Sequence, residues 1–153
     1  MTVLVTGASG FIGSHIVANL LSKGAQVRAT VTDSSDPERV DHLLSLPVSD
    51  GGSLDIVEMD LLDAESVRKA VADCESVIHT AAVVVLKSKR AQEKIVDPSV
   101  VGTRNVLDAI DSSGTVRCLI HTSSTAAIRP SSWEDGQTLS LIHISEPTRL
   151  PGI

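Results

Sequence analysis

The sequence contains no tyrosine, a single phenylalanine and a single tryptophan. It is also poor in cysteine: Cys74 and Cys118 stand far apart and fit no metal or redox spacing. They read as small apolar residues of a protein kept in a reducing, cytoplasmic compartment. Basic stripes and basic tails are missing, and the net charge is −6. That balance excludes nucleic acid and an acidic membrane surface as default partners. No apolar run approaches the roughly 20 residues needed to span a bilayer. The first apolar run is too short, and too broken by glycine, for a secretory signal. Nothing resembles a metal site, a P-loop or a nucleophile elbow.

What is present is patterned. Val3, Leu4 and Val5 read as a short buried strand, and Gly7, Gly10 and Gly13 turn the chain into a helix starting near Phe11. Ile12, Ile16, Val17, Leu20 and Leu21 recur at helical spacing up to Lys23, where Gly24 ends the run. A second strand is predicted over Gln26 to Val31, a short helix after Pro37 through Leu43 and Leu44, and a third strand over Leu54 to Glu58. A helix over Ala64 to Ala72, a fourth strand over Ser76 to Thr80, a helix from Pro98 to Ser112 and a fifth strand over Val116 to Thr122 follow. Strands alternating with helices of this length imply an α/β fold with a parallel sheet covered on both faces. With right-handed crossovers it is a doubly wound, Rossmann-type sheet of about five strands, in the order 3-2-1-4-5. Ligands are then expected beyond the carboxyl ends of the strands.

The glycine loop carries the chemistry. A strand-to-helix turn rich in glycine points backbone N–H groups outward at a helix N-terminus, where the dipole favours an anion. The first glycine permits the tight turn, the second lets a pyrophosphate approach, and the third lets helix and strand pack closely. Here the spacing is G-x-x-G-x-x-G.

Thr6-Gly-Ala-Ser-Gly-Phe-Ile-Gly13 resembles the cofactor loop of the extended short-chain dehydrogenase/reductase family, which places Gly7, Ser9, Gly10, Phe11, Ile12 and Gly13 against a dinucleotide. By the same resemblance Asp60, followed by Leu61, accepts a hydrogen bond from the adenine amino group. Asp60 and Asp63 also compete for the plainer role of helix N-cap. His79-Thr-Ala-Ala82 resembles the family's H-x-A-A stretch, with His79 structural and Ala81 and Ala82 touching the cofactor.

The end of the second strand distinguishes NAD from NADP, because a carboxylate there binds a ribose 2′-hydroxyl and repels a 2′-phosphate. Val31 stands where NAD-type members carry the acid, while Asp33, 20 residues after Gly13, matches the NAD spacing. Arg28-Ala-Thr-Val-Thr-Asp33 resembles the R-A-T-V-R-D stretch of dihydroflavonol-reductase and cinnamoyl-CoA-reductase relatives, which use NADPH. Thr32 replaces their second arginine, Arg39 matches a later basic residue, and His42-Leu-Leu-Ser-Leu-Pro47 matches as well. NADP is therefore the expected cofactor and NAD the alternative. Alternation along the strand turns Arg28 away from its neighbours.

Cys118-Leu-Ile-His-Thr-Ser-Ser-Thr125 resembles the family's strand-plus-serine segment, which casts Ser124 as the residue polarising the substrate carbonyl. The family pairs that serine with a Y-x-x-x-K helix, whose spacing sets both side chains on one face. With no tyrosine, and Lys94 as its last lysine, this chain holds no such pair. Lys87-Ser-Lys-Arg90 reads as a solvated basic cluster, and Trp133-Glu-Asp-Gly136 as the start of a substrate loop. Leu139 to Arg149 matches the translation of a transposase-type sequencing adapter, so residues 139–153 are expected to be a non-native tail on a truncated Rossmann domain of residues 1–138. The expected parent is an NADP(H)-dependent oxidoreductase acting on a small carbonyl or secondary alcohol, with self-association left open. A nucleotide-sugar epimerase/dehydratase and a non-catalytic dinucleotide-binding protein are the alternatives.

Overall fold

A computed structural model describes residues 1–82, 90 and 92–124 of the chain. The chain falls into two units, Met1–His121 and Thr122–Ile153; the secondary structure below belongs to the first. Five strands, β1 (Thr2–Thr6), β2 (Gln26–Val31), β3 (Ser53–Glu58), β4 (Ser76–His79) and β5 (Cys118–His121), form one sheet in the order β3-β2-β1-β4-β5. Every pairing is parallel. The strand order and the α/β class agree with the sequence reading. β5 is shorter than expected at both ends, and Thr80 lies outside β4 because its backbone N–H and hydroxyl turn to Thr6.

The helices are α1 (Phe11–Ser22), α2 (Pro37–Leu44), α3 (Ala64–Val71) and α4 (Asp97–Ser113). Asp36 and Asp63 cap α2 and α3, each accepting a backbone N–H two residues on. A π-helical turn, Gln92–Val96, leads into α4 and has no counterpart in the sequence reading. α4 ends at Gly114 in the left-handed conformation.

Period-two alternation splits the core between the two faces of the sheet. Val3 and Val5 of β1 join Val27, Ala29 and Val31 of β2 under Val17, Leu21 and Leu43 from α1 and α2. Leu4 and Val77 face the other way, against Val67, Ala70, Val71, Val106 and Ala109 from α3 and α4. Each fully buried Leu or Val contributes roughly 1.5–3 kcal/mol of transfer free energy, so both layers are needed to hold β1 at the centre. Arg28, on the α3 side, donates to Asp55 at 3.0 Å and to the carbonyls of Ala70 and Ala72 at 3.1 and 2.7 Å. It thereby satisfies carbonyls at the end of α3. Ile12, expected in the apolar stripe of α1, is instead 55% exposed, because the first turn of that helix stands over the ends of the strands. Among the described residues no helix is long and apolar enough to cross a membrane.

Candidate cofactor site

The carboxyl ends of β1, β2, β3 and β4 open into a cleft of about 500 Å³. Gly7, Ser9, Gly10, Phe11, Ile12 and Gly13 line one wall, Thr32 and Asp60-Leu61 a second, and Ala81 and Ala82 a third. All were singled out in the sequence. Val31, noted in the sequence as standing where an acid would mark NAD, lines it too; Thr30, Met59, Leu62 and Thr80 complete the lining and were not singled out.

The glycines divide the work as their surroundings dictate. Gly7 has φ of +67°, and a Cβ there would sit 2.9 Å from the backbone of Ala81. Gly13 has ordinary helical dihedrals but no room: a Cβ would lie 2.1 Å from the Gly7 carbonyl oxygen. Gly10 is the N-cap of α1 and supplies no side-chain cap, and the first turn carries no acidic residue. By contrast, α2 and α3 have Asp caps and a Glu in the first turn. The positive end of α1 is therefore left for an outside anion.

On the β3 side the competition between two aspartates is resolved by geometry. Asp63 caps α3 through Glu65 N–H at 2.9 Å. Asp60 remains at the cleft, with Oδ1 accepting Leu62 N–H at 2.9 Å. The turn is anchored from α4, where Asn105 Nδ2 donates to the Leu61 carbonyl at 2.7 Å. Gly102 lets Leu61 approach, since a Cβ there would stand 3.0 Å from the Leu61 Cβ. Gly102 and Asn105, three apart and so on one face of α4, were overlooked in the sequence. A glycine and an amide so spaced inside a helix were the available signal.

At the end of β2 the cleft meets Val31, which is buried, and Thr32. Asp33 does not line it: its Oδ1 accepts the Ser35 hydroxyl and N–H at 2.7 and 2.9 Å, which hold its carboxyl below the usual carboxylate range. Glu58 is held low in the same way, by the N–H and hydroxyl of Ser34. Arg39 lies on α2 outside the cleft lining, with Nε donating to Asp36 at 2.9 Å. His79 is buried, its Nδ1 2.7 Å from Thr6 Oγ1, and its ring stacks on that of His121 at 5.1 Å. Burial, with a smaller contribution from His121, pushes the His79 pKa down to about 4. Ser124 belongs to the second unit. Lys87 to Lys89, Trp133 to Gly136 and the expected tail at 139–153 lie outside the described residues.

A family model, the 3-beta hydroxysteroid dehydrogenase/isomerase family, matches residues 4–139. The chain belongs to that family. Relatives similar in sequence include plant reductases. A bifunctional dihydroflavonol 4-reductase/flavanone 4-reductase of Malus domestica is 39% identical over 83% of the chain and 36% of its own length. A cinnamoyl-CoA reductase of Medicago truncatula is 40% identical over 82% of the chain and 38% of its own. The chain thus spans little more than a third of the length of these curated relatives. Among solved structures, yeast methylglyoxal/isovaleraldehyde reductase complexed with NADPH matches with a TM-score of 0.69 at 26% identity, over 84% of the chain and 39% of that protein. Uronate dehydrogenase of Agrobacterium tumefaciens complexed with NAD matches with a TM-score of 0.63 at 26% identity, over 83% of the chain and 42% of that protein. Similar folds thus accommodate either dinucleotide.

Proposed function

We propose that the chain is the dinucleotide-binding part of an NADP(H)-dependent reductase that passes hydride to a small carbonyl compound or takes it from a secondary alcohol. The observation that carries this reading is the uncapped, acid-free N-terminus of α1 at a cleft walled by Gly7, Gly13 and Ala81. These residues fit a dinucleotide. The α1 N-terminus and the backbone of Ser9 to Gly13 would receive the pyrophosphate, and Asp60 the adenine amino group. The cofactor supplies the hydride; the protein binds and orients it.

NADP is favoured over NAD because no carboxylate among the described residues meets the cleft at the end of β2. Val31 and Thr32 occupy that place, and the Asp33 oxygen facing its own turn is already bonded to Ser35. Arg39 is half-exposed and paired with Asp36, which is about a third exposed. Such surface pairs contribute little, so the guanidinium is available to a 2′-phosphate at small cost. NADPH is expected to bind about tenfold tighter than NADH, a difference near 1.4 kcal/mol. Equal or reversed affinities in a fluorescence titration would remove the NADP assignment.

By the family resemblance Ser124 polarises the substrate carbonyl, and a Tyr–Lys pair supplies the proton. The 153-residue chain has no tyrosine, so it is expected to bind cofactor without turning over. Measurable NADPH-dependent carbonyl reduction by it would sink that expectation.

The two aspartates separate binding from stability. Asp63→Ala is expected to cost about 1 kcal/mol of stability through the lost cap and to leave NADPH affinity unchanged. Asp60→Ala is expected to weaken NADPH binding and to change stability less. Should both variants lose affinity in proportion to stability, the adenine role of Asp60 fails.

A further inference from the structure

Thr6, the last residue of β1, is fully buried, and its hydroxyl meets three groups. The backbone N–H groups of Thr80 and Ala81 each reach Oγ1 at 3.1 Å, and His79 Nδ1 lies 2.7 Å from the same atom. A hydroxyl offers one proton and two lone pairs. The two N–H groups take both lone pairs, so only the proton is left for His79. Nδ1 must then accept, which makes the ring neutral with its proton on Nε2. A proton on Nδ1 would set two donors against each other in a buried place.

We infer that His79 is a positioning residue for the dinucleotide cleft. By accepting the Thr6 proton it fixes the hydroxyl rotor, and the Thr6 lone pairs then hold Thr80 and Ala81. The consequence reaches the cleft wall directly, because the Ala81 backbone is the atom group lying against Gly7. Thr80 Oγ1 tightens the same clasp by donating to the Thr6 carbonyl at 2.6 Å. A buried histidine that merely filled core space would need no particular tautomer. This one has its tautomer dictated by the two N–H groups that shape the cofactor wall. The inference rests on the proposal that the cleft takes NADP(H).

The test uses variants that differ in where an acceptor sits. Asparagine carries its amide oxygen on Cγ, where histidine carries Nδ1, and can take the Thr6 proton. Glutamine places its amide one atom further out, and leucine has no acceptor. His79→Asn is expected to keep NADPH affinity within about threefold, while His79→Gln and His79→Leu weaken it about tenfold or more, as loss of a buried partner does. In a Thr6→Val background, His79→Leu should have no further effect, since the rotor it fixes is gone. Nitrogen NMR of the unsubstituted chain should show a neutral ring protonated on Nε2 at pH 7. A proton on Nδ1 overturns the inference without reference to cofactor. So does NADPH binding by His79→Leu equal to that of the parent, or an undiminished effect of His79→Leu in Thr6→Val. If leucine and glutamine variants fail to fold, the asparagine rescue and the tautomer still decide. No NADPH binding by the unsubstituted chain defeats the dinucleotide proposal itself, and the inference with it.

Discussion

Replacing Gly13 by alanine is expected to abolish dinucleotide binding and to destabilise the chain by on the order of 3 kcal/mol, the upper end of overpacking costs. In most helix interiors the same change stabilises, by about 1 kcal/mol of propensity. Here the sign is reversed by what the new methyl meets. It would stand 2.1 Å from the Gly7 oxygen and 2.8 Å from Ala8 Cα and the Gly7 carbonyl carbon. All are backbone atoms, with no rotamer to move aside, so α1 must shift away from the loop after β1. Gly13 is buried on the face of α1 that also carries Val17 and Leu21, so the shift would loosen the core as well as the anion site. Gly10→Ala is the control. Its nearest neighbour is the Gly7 oxygen at 3.3 Å, so that variant should melt near the parent and lose affinity only on the cofactor side. Thermal melts with NADPH titrations compare the two. A Gly13→Ala chain melting with the parent would show that the close approach is not a constraint.

Acid is expected to remove about 3 kcal/mol of stability between pH 6.5 and pH 4, through His79 alone. That energy corresponds to the fall of its pKa from 6.5 to about 4 on folding. Above pH 6.5 the ring is neutral in folded and unfolded chains alike, and the linkage is silent. Below it the unfolded chain takes up a proton that the folded one refuses, so stability drops as pH falls, and levels off below about 4. The cause is burial first and the neighbouring His121 second. Asp33, Glu58 and Glu65, whose carboxyls are held low by Ser35, Ser34 and Arg68 respectively, lose their contribution in the same direction but lower on the scale, below their ordinary values of 3.8 and 4.5. The window above pH 4.5 is therefore diagnostic. Urea unfolding at pH 7, 5.5 and 4.5 should show the drop in the parent and a flatter profile in His79→Asn. An equal drop in both would assign it elsewhere.

Where local chemistry decides the structure, the sequence was readable. β2 was placed residue for residue, because Gly24 and the polar turn after Val31 bracket a β-branched run. The glycine loop announced its cleft wall for the same reason, since backbone freedom and close approach are written in residue type. Contacts made across the chain were less visible. That Asp63 and not Asp60 caps α3 depends on where the helix begins, which spacing alone left open. Asn105 reaches Leu61 across 44 positions, and no local pattern announces such a bond. The π-helical turn before α4 buries none of its residues, so no apolar periodicity marks it. Arg39 was singled out by resemblance, while its partner Asp36 is supplied by the turn of α2.

The placing of β1 also sets a timetable. Of the five strands this one is made first, and it stands at the centre of the sheet, between β2, its immediate successor, and β4. The bond from Thr6 to His79 closes a separation of 73 positions, a high contact order of the kind that slows folding. Strands β1, β2 and β3 with α1 and α2 already enclose an apolar layer of their own, and can collapse while β4 is still being made. The glycine loop is thus in place early, but its third wall, Ala81, arrives only with β4. One of the three walls of the cleft waits on the pairing of β1 with β4, so a nascent chain acquires its core before its cleft is complete.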